Sequence, residues 1–150
     1  MNVEVKTMEK IQELLCDLLY EREISEIKEF ISKTDDAVLL HMTAYNYNWD
    51  NGLEVAESII ANPVCDAGTA LMIFELAEGY EYLLGEECVS DRQFLKMLKE
   101  KLESGSFTQN IRYVPELDRM QKYRLKKILP DISALFLDGT SGEEIEIVTV

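Results

Sequence analysis

Residues 41–84 read HMTAYNYNWDNGLEVAESIIANPVCDAGTALMIFELAEGYEYLL, and the punctuation inside this stretch decides the fold. Asn and Gly tolerate left-handed backbone angles, so residues 46–52 predict a tight connection. Pro63 keeps Asn62 out of the helical region, so a helix over 53–61, with Leu53, Ala56, Ile59 and Ile60 as its stripe, stops there. Asp66 is an N-cap for the most apolar helix of the chain, over 67–84, carrying Ala70, Leu71, Ile73, Phe74, Leu76 and Ala77. That helix is expected to be central. Gly79 marks a close helix approach or a break near its end, and Gly85 a C-terminal stop.

The same periodicity continues on both sides. Towards the N-terminus, Met8, Ile11, Leu14, Leu15, Leu18 and Leu19 form one stripe over 5–20, with Thr7 as an incomplete cap. Ser25 is expected to cap a short helix over 25–32 that buries Ile24, Ile27, Phe30 and Ile31. Thr34-Asp35-Asp36 opens a third helix, where a hydroxyl or carboxylate can accept the open amides of the first turn. Towards the C-terminus, Ser90-Asp91 caps a helix to about 104 with Phe94, Leu95, Leu98 and Leu102 inward. Pro115 opens another, for which Leu117, Met120, Tyr123, Leu125 and Ile128 are the expected core contacts. Pro130 starts a last short helix over 131–137. The closing EIEIVTV alternates like a strand, but a lone strand needs a partner, so a frayed tail is expected. The fold class is therefore all-α: seven or eight short helices in antiparallel hairpins, α-solenoid-like or an irregular bundle, with a short extended C-terminal tail.

A chain of 150 residues, 47% hydrophobic, suits a single helical domain, 1–150, with one core. Asp+Glu is 29 against Lys+Arg 15, a net charge of −14, which repels phosphate backbones and anionic membranes and favours a basic partner. The charge is uneven. Residues 92–127 hold 10 Lys/Arg and 4 acids, a net of +6, and the remainder carries −20. Neutralisation of these basic helices by acidic neighbours is the expected arrangement. Three cysteines, Cys16, Cys65 and Cys88, with no Cys-x-x-Cys, argue against a disulfide framework and fit free thiols in a reducing cytosol. The N-terminus lacks a signal-peptide pattern, and no apolar run reaches the roughly 18 to 20 residues that span a bilayer. The expected location is cytoplasmic.

Few residues suggest chemistry. His41 with Asp50, Glu54 and Asp66 has ligand types suited to Zn²⁺, Mn²⁺ or Mg²⁺, the basis of an alternative reading as a small metal-dependent hydrolase. Their spacing matches no metal motif, so His41 reads as a polar residue near a helix surface, and Asp50 and Asp66 as caps. Nothing resembles Gly-x-Ser-x-Gly, and the seven glycines form no phosphate loop. Cys65, beside a helix N-terminus, has a setting that favours thiolate, though a buried small Cys is the commoner case. No catalytic residue, cofactor or metal ligand is assigned. The aromatic group Tyr45, Tyr47, Trp49, Tyr80 and Tyr82 stands out, since Tyr and Trp serve both cores and interfaces. Trp49 reads first as a plug for the corner.

The run Tyr45-Asn46-Tyr47-Asn48-Trp49-Asp50-Asn51-Gly52-Leu53-Glu54, followed by Ile59-Ile60-Ala61-Asn62-Pro63-Val64-Cys65-Asp66-Ala67-Gly68-Thr69-Ala70-Leu71, resembles the bacterial domain of unknown function 4274 family. An Asn-Trp-Asp-x-Gly turn, an Asn-Pro-x-Cys-Asp turn and a Gly-Thr-Ala helix carry the resemblance over about 41–84. The stretches Asn110-Ile111-Arg112-Tyr113 and Lys126-Lys127-Ile128-Leu129-Pro130 look similar too. The resemblance implies a bacterial, soluble, cytoplasmic protein and supplies no catalytic residues.

The function expected from these observations is a non-enzymatic acidic protein-binding module, by analogy an immunity protein that neutralises a basic toxin. The expected partner-binding residues are Tyr45, Tyr47, Trp49, Asp50, Glu54, Glu57, Glu78, Tyr80, Glu81 and Tyr82, with the tyrosines as anchors and the acids steering a basic protein. No nucleic acid or membrane is expected as partner. A homo-oligomer, in which acidic and basic parts of different subunits meet, is a further alternative.

Overall fold

The computed structural model describes residues 3–87 and 89–150; Cys88 lies outside the described residues. Within them are nine α-helices, one π-helical turn, one 3₁₀ turn and two isolated β-bridges, with no strand. The all-α expectation is met. The chain divides into two compact units: Met1–Cys65 with Ile145–Val150, and Asp66–Glu144. No helix among the described residues is long and apolar enough to cross a membrane.

The first unit opens with α1 (Val3–Cys16), which runs into the π-helical turn Asp17–Glu21. Helix α2 (Ile24–Lys33) follows Glu23 without a side-chain cap, so Ser25 is not its N-cap. Helix α3 (Ala37–Asn46) begins as expected, with the Asp36 carboxylate accepting the Val38 and Leu39 amides at 3.1 Å each. After the 3₁₀ turn Trp49–Asn51 comes α4 (Glu54–Ala61), which stops at Asn62. The buried Asn62 side chain does more than end a helix. Its Nδ2 donates to the carbonyls of Ile31 (2.7 Å) and Thr34 (2.9 Å), and its Oδ1 accepts the Val64 amide (2.9 Å). All of this fixes the end of α2 to the corner after α4, and α2 against α4 is the most extensive helix packing of the unit. Helix α3 also packs on α4, as the hairpin pattern predicts.

The tail is not frayed. Val148 is buried in a cluster with Leu15, Leu39 and Met42. The Asn46 amide donates to the Val148 carbonyl (2.7 Å) and accepts the Val150 N–H (3.0 Å). A side-chain amide presents the same donor–acceptor pair as a neighbouring strand, so the extended tail finds its partner without a sheet.

The second unit contains α5 (Ala67–Leu76), α6 (Gly79–Leu83), α7 (Arg92–Glu103), α8 (Arg119–Ile128) and α9 (Leu135–Asp138). The helix expected over 67–84 is broken in two. Glu78 sits in the left-handed region at φ 66°, and a Cβ on Gly79 would lie 2.3 Å from the Phe74 ring. The glycine admits Phe74 into the core, where it meets Phe136 at 5.2 Å and Tyr80 at 5.8 Å between ring centroids. Helix α5 packs on α6 and α7. Helix α8 starts four residues later than Pro115 predicts, because Asp118 and Gln121 form a reciprocal capping box. Of its apolar residues Leu125 is buried, while Met120 is 67% exposed, Tyr123 62% and Ile128 49%. Three of the five core contacts assigned to this helix are therefore surface residues.

Candidate functional site

The corner between α3 and α4 is built by short-range hydrogen bonds. Asn48 Oδ1 accepts the Asp50 amide (3.0 Å), and the Tyr47 hydroxyl donates to the Gly52 carbonyl (3.1 Å). Gly52, at φ 95°, takes the backbone angle that this closure needs. Tyr47 is buried, and Trp49 is half-buried with its ring edge-on to Tyr47 at 5.9 Å. The Trp49 indole N–H is buried with no hydrogen-bond partner among the described residues. Burial, and then the nearby Glu54 charge, push the Tyr47 hydroxyl above its ordinary pKa, so it stays a donor.

Outward from this corner stand Tyr45, 48% exposed, and the exposed carboxylates of Asp50, Glu54 and Glu57. Asp50 is not the cap of α4, which has Leu53 at its N-cap position and no side-chain cap bond. Asp50, Glu54 and Glu57 make no ion pair among the described residues. Residues 34–91 contain neither Lys nor Arg, so no local cation is available to them.

The other expected partner-binding residues lie in the second unit. Glu78 is exposed, and Glu81 and Tyr82 are half-buried, with the Arg92 guanidinium 6.0 Å from the Tyr82 ring centroid. Tyr80 is buried and its hydroxyl donates to the Phe136 carbonyl. Tyr47 and Tyr80 are thus core residues with a satisfied hydroxyl, and neither is a surface anchor.

The candidate metal ligands do not assemble. His41 is buried rather than near a surface, and Asp50 and Glu54 are exposed. Asp66, 1% exposed, is committed to backbone: Oδ1 accepts the amides of Gly68 (3.0 Å) and Ile111 (3.1 Å), and Oδ2 accepts that of Asn110 (2.7 Å). Next to it a Cβ on Gly68 would lie 2.3 Å from the Ile111 carbonyl oxygen, so the helix start and the 108–111 segment can approach this closely only through glycine. Among the described residues no three His, Cys, Asp or Glu side chains gather as a metal ion needs. Cys65 is buried.

One carboxylate escaped the sequence reading. Glu75 Oε1 accepts the Tyr113 hydroxyl at 2.5 Å, and Oε2 accepts the Glu116 amide at 3.1 Å. Burial raises the Glu75 pKa against these hydrogen bonds. Burial and then Glu75 itself raise that of Tyr113. Perturbed acids often mark active sites, but both Glu75 oxygens are occupied by the 113–116 segment. The arrangement is a latch, and nothing local in the sequence pairs residues so far apart.

A groove of about 560 Å³ in the first unit is floored by Leu14, Leu18 and Phe30 beside the π-helical turn. Its rim charges are internally paired, Arg22 with Asp17 and Glu26 at 3.1 Å each and Lys33 with Glu29 at 2.7 Å.

Residues 35–105 match the model of the family described as Domain of unknown function (DUF4274). The matched segment includes both corners, the whole of 41–84 and α7, and does not extend to the 110–130 stretch. It holds the exposed acids around Trp49 together with the Lys- and Arg-free run up to residue 91. No curated protein and no solved structure matches the chain.

Proposed function

We propose that this chain is a non-enzymatic module that binds a basic protein through the acidic corner of its first unit. One observation carries the reading. Asp50, Glu54 and Glu57 are exposed, follow the exposed Tyr45 and half-buried Trp49 in the chain, and make no ion pair among the described residues. Three unscreened carboxylates steer a cationic partner, and flanking aromatic rings supply the apolar contact that charge alone does not. The finer form of the proposal is an immunity protein that covers the basic working surface of a toxin.

The test uses the basic product of the adjacent reading frame, mixed with the full chain at low and at high salt. A complex whose affinity falls with salt, and falls at least about tenfold for Asp50→Asn/Glu54→Gln/Glu57→Gln, is the expected result; tenfold corresponds to about 1.4 kcal/mol. No complex at low salt, or a triple variant that binds as tightly as the parent, overturns the reading. Loss of the partner's toxicity on co-expression tests the immunity form.

A further inference from the structure

We propose that the outer face of α8 docks onto the acidic corner of a second copy of this chain. This rests on the reading of that corner as a protein-binding site. Leu125 is the residue α8 buries. At 100° per residue, Met120, Tyr123 and Lys127 line the opposite face, flanked by Arg119 and Arg124. Met120 and Tyr123 are the most exposed large hydrophobics of the described residues, along with Tyr20, and apolar side chains at this spacing make a stripe with nothing over it.

The charges on this helix are equally unmatched. Arg119, Lys122, Arg124, Lys126 and Lys127 form no ion pair among the described residues, and α8 contains no acid. The expected neutralisation by acidic neighbours does not occur here. The chain thus carries two surfaces of opposite sign, each lacking a counterpart: cations with Met120 and Tyr123 on one, carboxylates with Tyr45 and Trp49 on the other. Arg–aromatic and Met–aromatic contacts favour the same pairing. Net charge opposes self-association at long range, but at physiological salt charges more than about 8 Å apart are screened, while contacting pairs are not. A nucleic acid is the other ligand of a cationic helix; against it, the chain's −14 opposes a polyanion and Met120 and Tyr123 form an apolar stripe suited to a protein surface.

Analytical ultracentrifugation of the full chain at physiological salt, from micromolar to millimolar concentration, tests this. The parent's average mass should rise with concentration and fall back at high salt. Arg119→Glu/Arg124→Glu/Lys127→Glu and, separately, Asp50→Lys/Glu54→Lys/Glu57→Lys should each stay monomeric, and a mixture of the two should associate again. All of these positions are exposed, and circular dichroism checks that each variant is folded. A parent that is monomeric at millimolar concentration, or reversed copies that fail to associate when mixed, overturns the proposal. Salt-sensitive binding of a single-stranded oligonucleotide by the monomeric parent, lost in the α8 variant, also overturns it. If self-association fails while the corner still binds the basic partner, only the docking proposal falls; if both fail, both fall.

Discussion

At the scale of single residues, two carboxylates organise the second unit. Asp66 accepts three backbone amides, one local and two from Asn110 and Ile111. Hydrogen bonds to a charged acceptor contribute about 1.5 to 3 kcal/mol each, and deletion leaves buried amides unpaired. Asp66→Ala should therefore lower the unfolding free energy by about 3 kcal/mol or more in urea titration. Asp66→Asn should recover part of this, since it keeps one oxygen and sets an NH₂ group against an amide. A loss below about 1 kcal/mol for Asp66→Ala would show that the amides find other partners.

Glu75 makes a pH prediction. Burial raises its folded-state pKa above the ordinary value of 4.5, so between those two values the native state holds more protons than the unfolded chain. Stability contributed by this group falls as pH rises through that window and levels off above it. A glutamine at this position would keep an acceptor for Tyr113 without titrating. The unfolding free energy of the parent relative to Glu75→Gln should thus decrease as pH rises from about 4 through the window. An increase over the same range would mean that the hydrogen bonds from Tyr113 and Glu116 outweigh burial.

At the scale of elements, the tail and α8 show where periodicity misleads. The alternating EIEIVTV segment is expected to fray for want of a neighbouring strand, yet the Asn46 side chain supplies both hydrogen bonds and Val148 enters a core cluster. Asn46→Ala should speed amide exchange at Val150 by about fivefold, taking about 1 kcal/mol for the lost bond, and should increase proteolysis within 145–150. Exchange unchanged at Val150 would mean that Val148 packing alone holds the tail. In α8, the spacing of Met120, Tyr123 and Leu125 identifies residues of a helix, but spacing does not say which side meets the core. Leu125 turns inward, and the opposite side remains as surface.

At the scale of the whole molecule, charge is poorly compensated. The first unit has 14 acids against 5 Lys/Arg and the second 15 against 10. Four side-chain ion pairs occur among the described residues, all with partly exposed side chains, and such pairs contribute little. Self-repulsion is then the larger electrostatic effect. Raising NaCl from about 0.02 to about 0.2 M, which shortens the screening length severalfold, should raise the melting temperature by roughly 2 to 4 °C, the shift expected for about 1 kcal/mol in a chain of this size. A fall would show that favourable pairs dominate.

The sequence by itself determined what depends on neighbours a few residues away. Asp36 caps α3, Asn62 ends α4, Asp66 opens α5, and residues 46–52 turn, because each hydrogen bond involved closes within two to five residues. It also determined the Lys- and Arg-free run that leaves the corner acidic. Only the tertiary structure decided that His41, Tyr47 and Tyr80 are buried, that Glu75 latches Tyr113, that Asp66 reaches Asn110 and Ile111, and that Asn46 holds the tail. Those partners lie tens of residues apart, and no local spacing records which surfaces meet when the chain closes. The same reason separates the two halves of the site: its acids were legible as composition, while the division of its tyrosines between surface and core depended on packing.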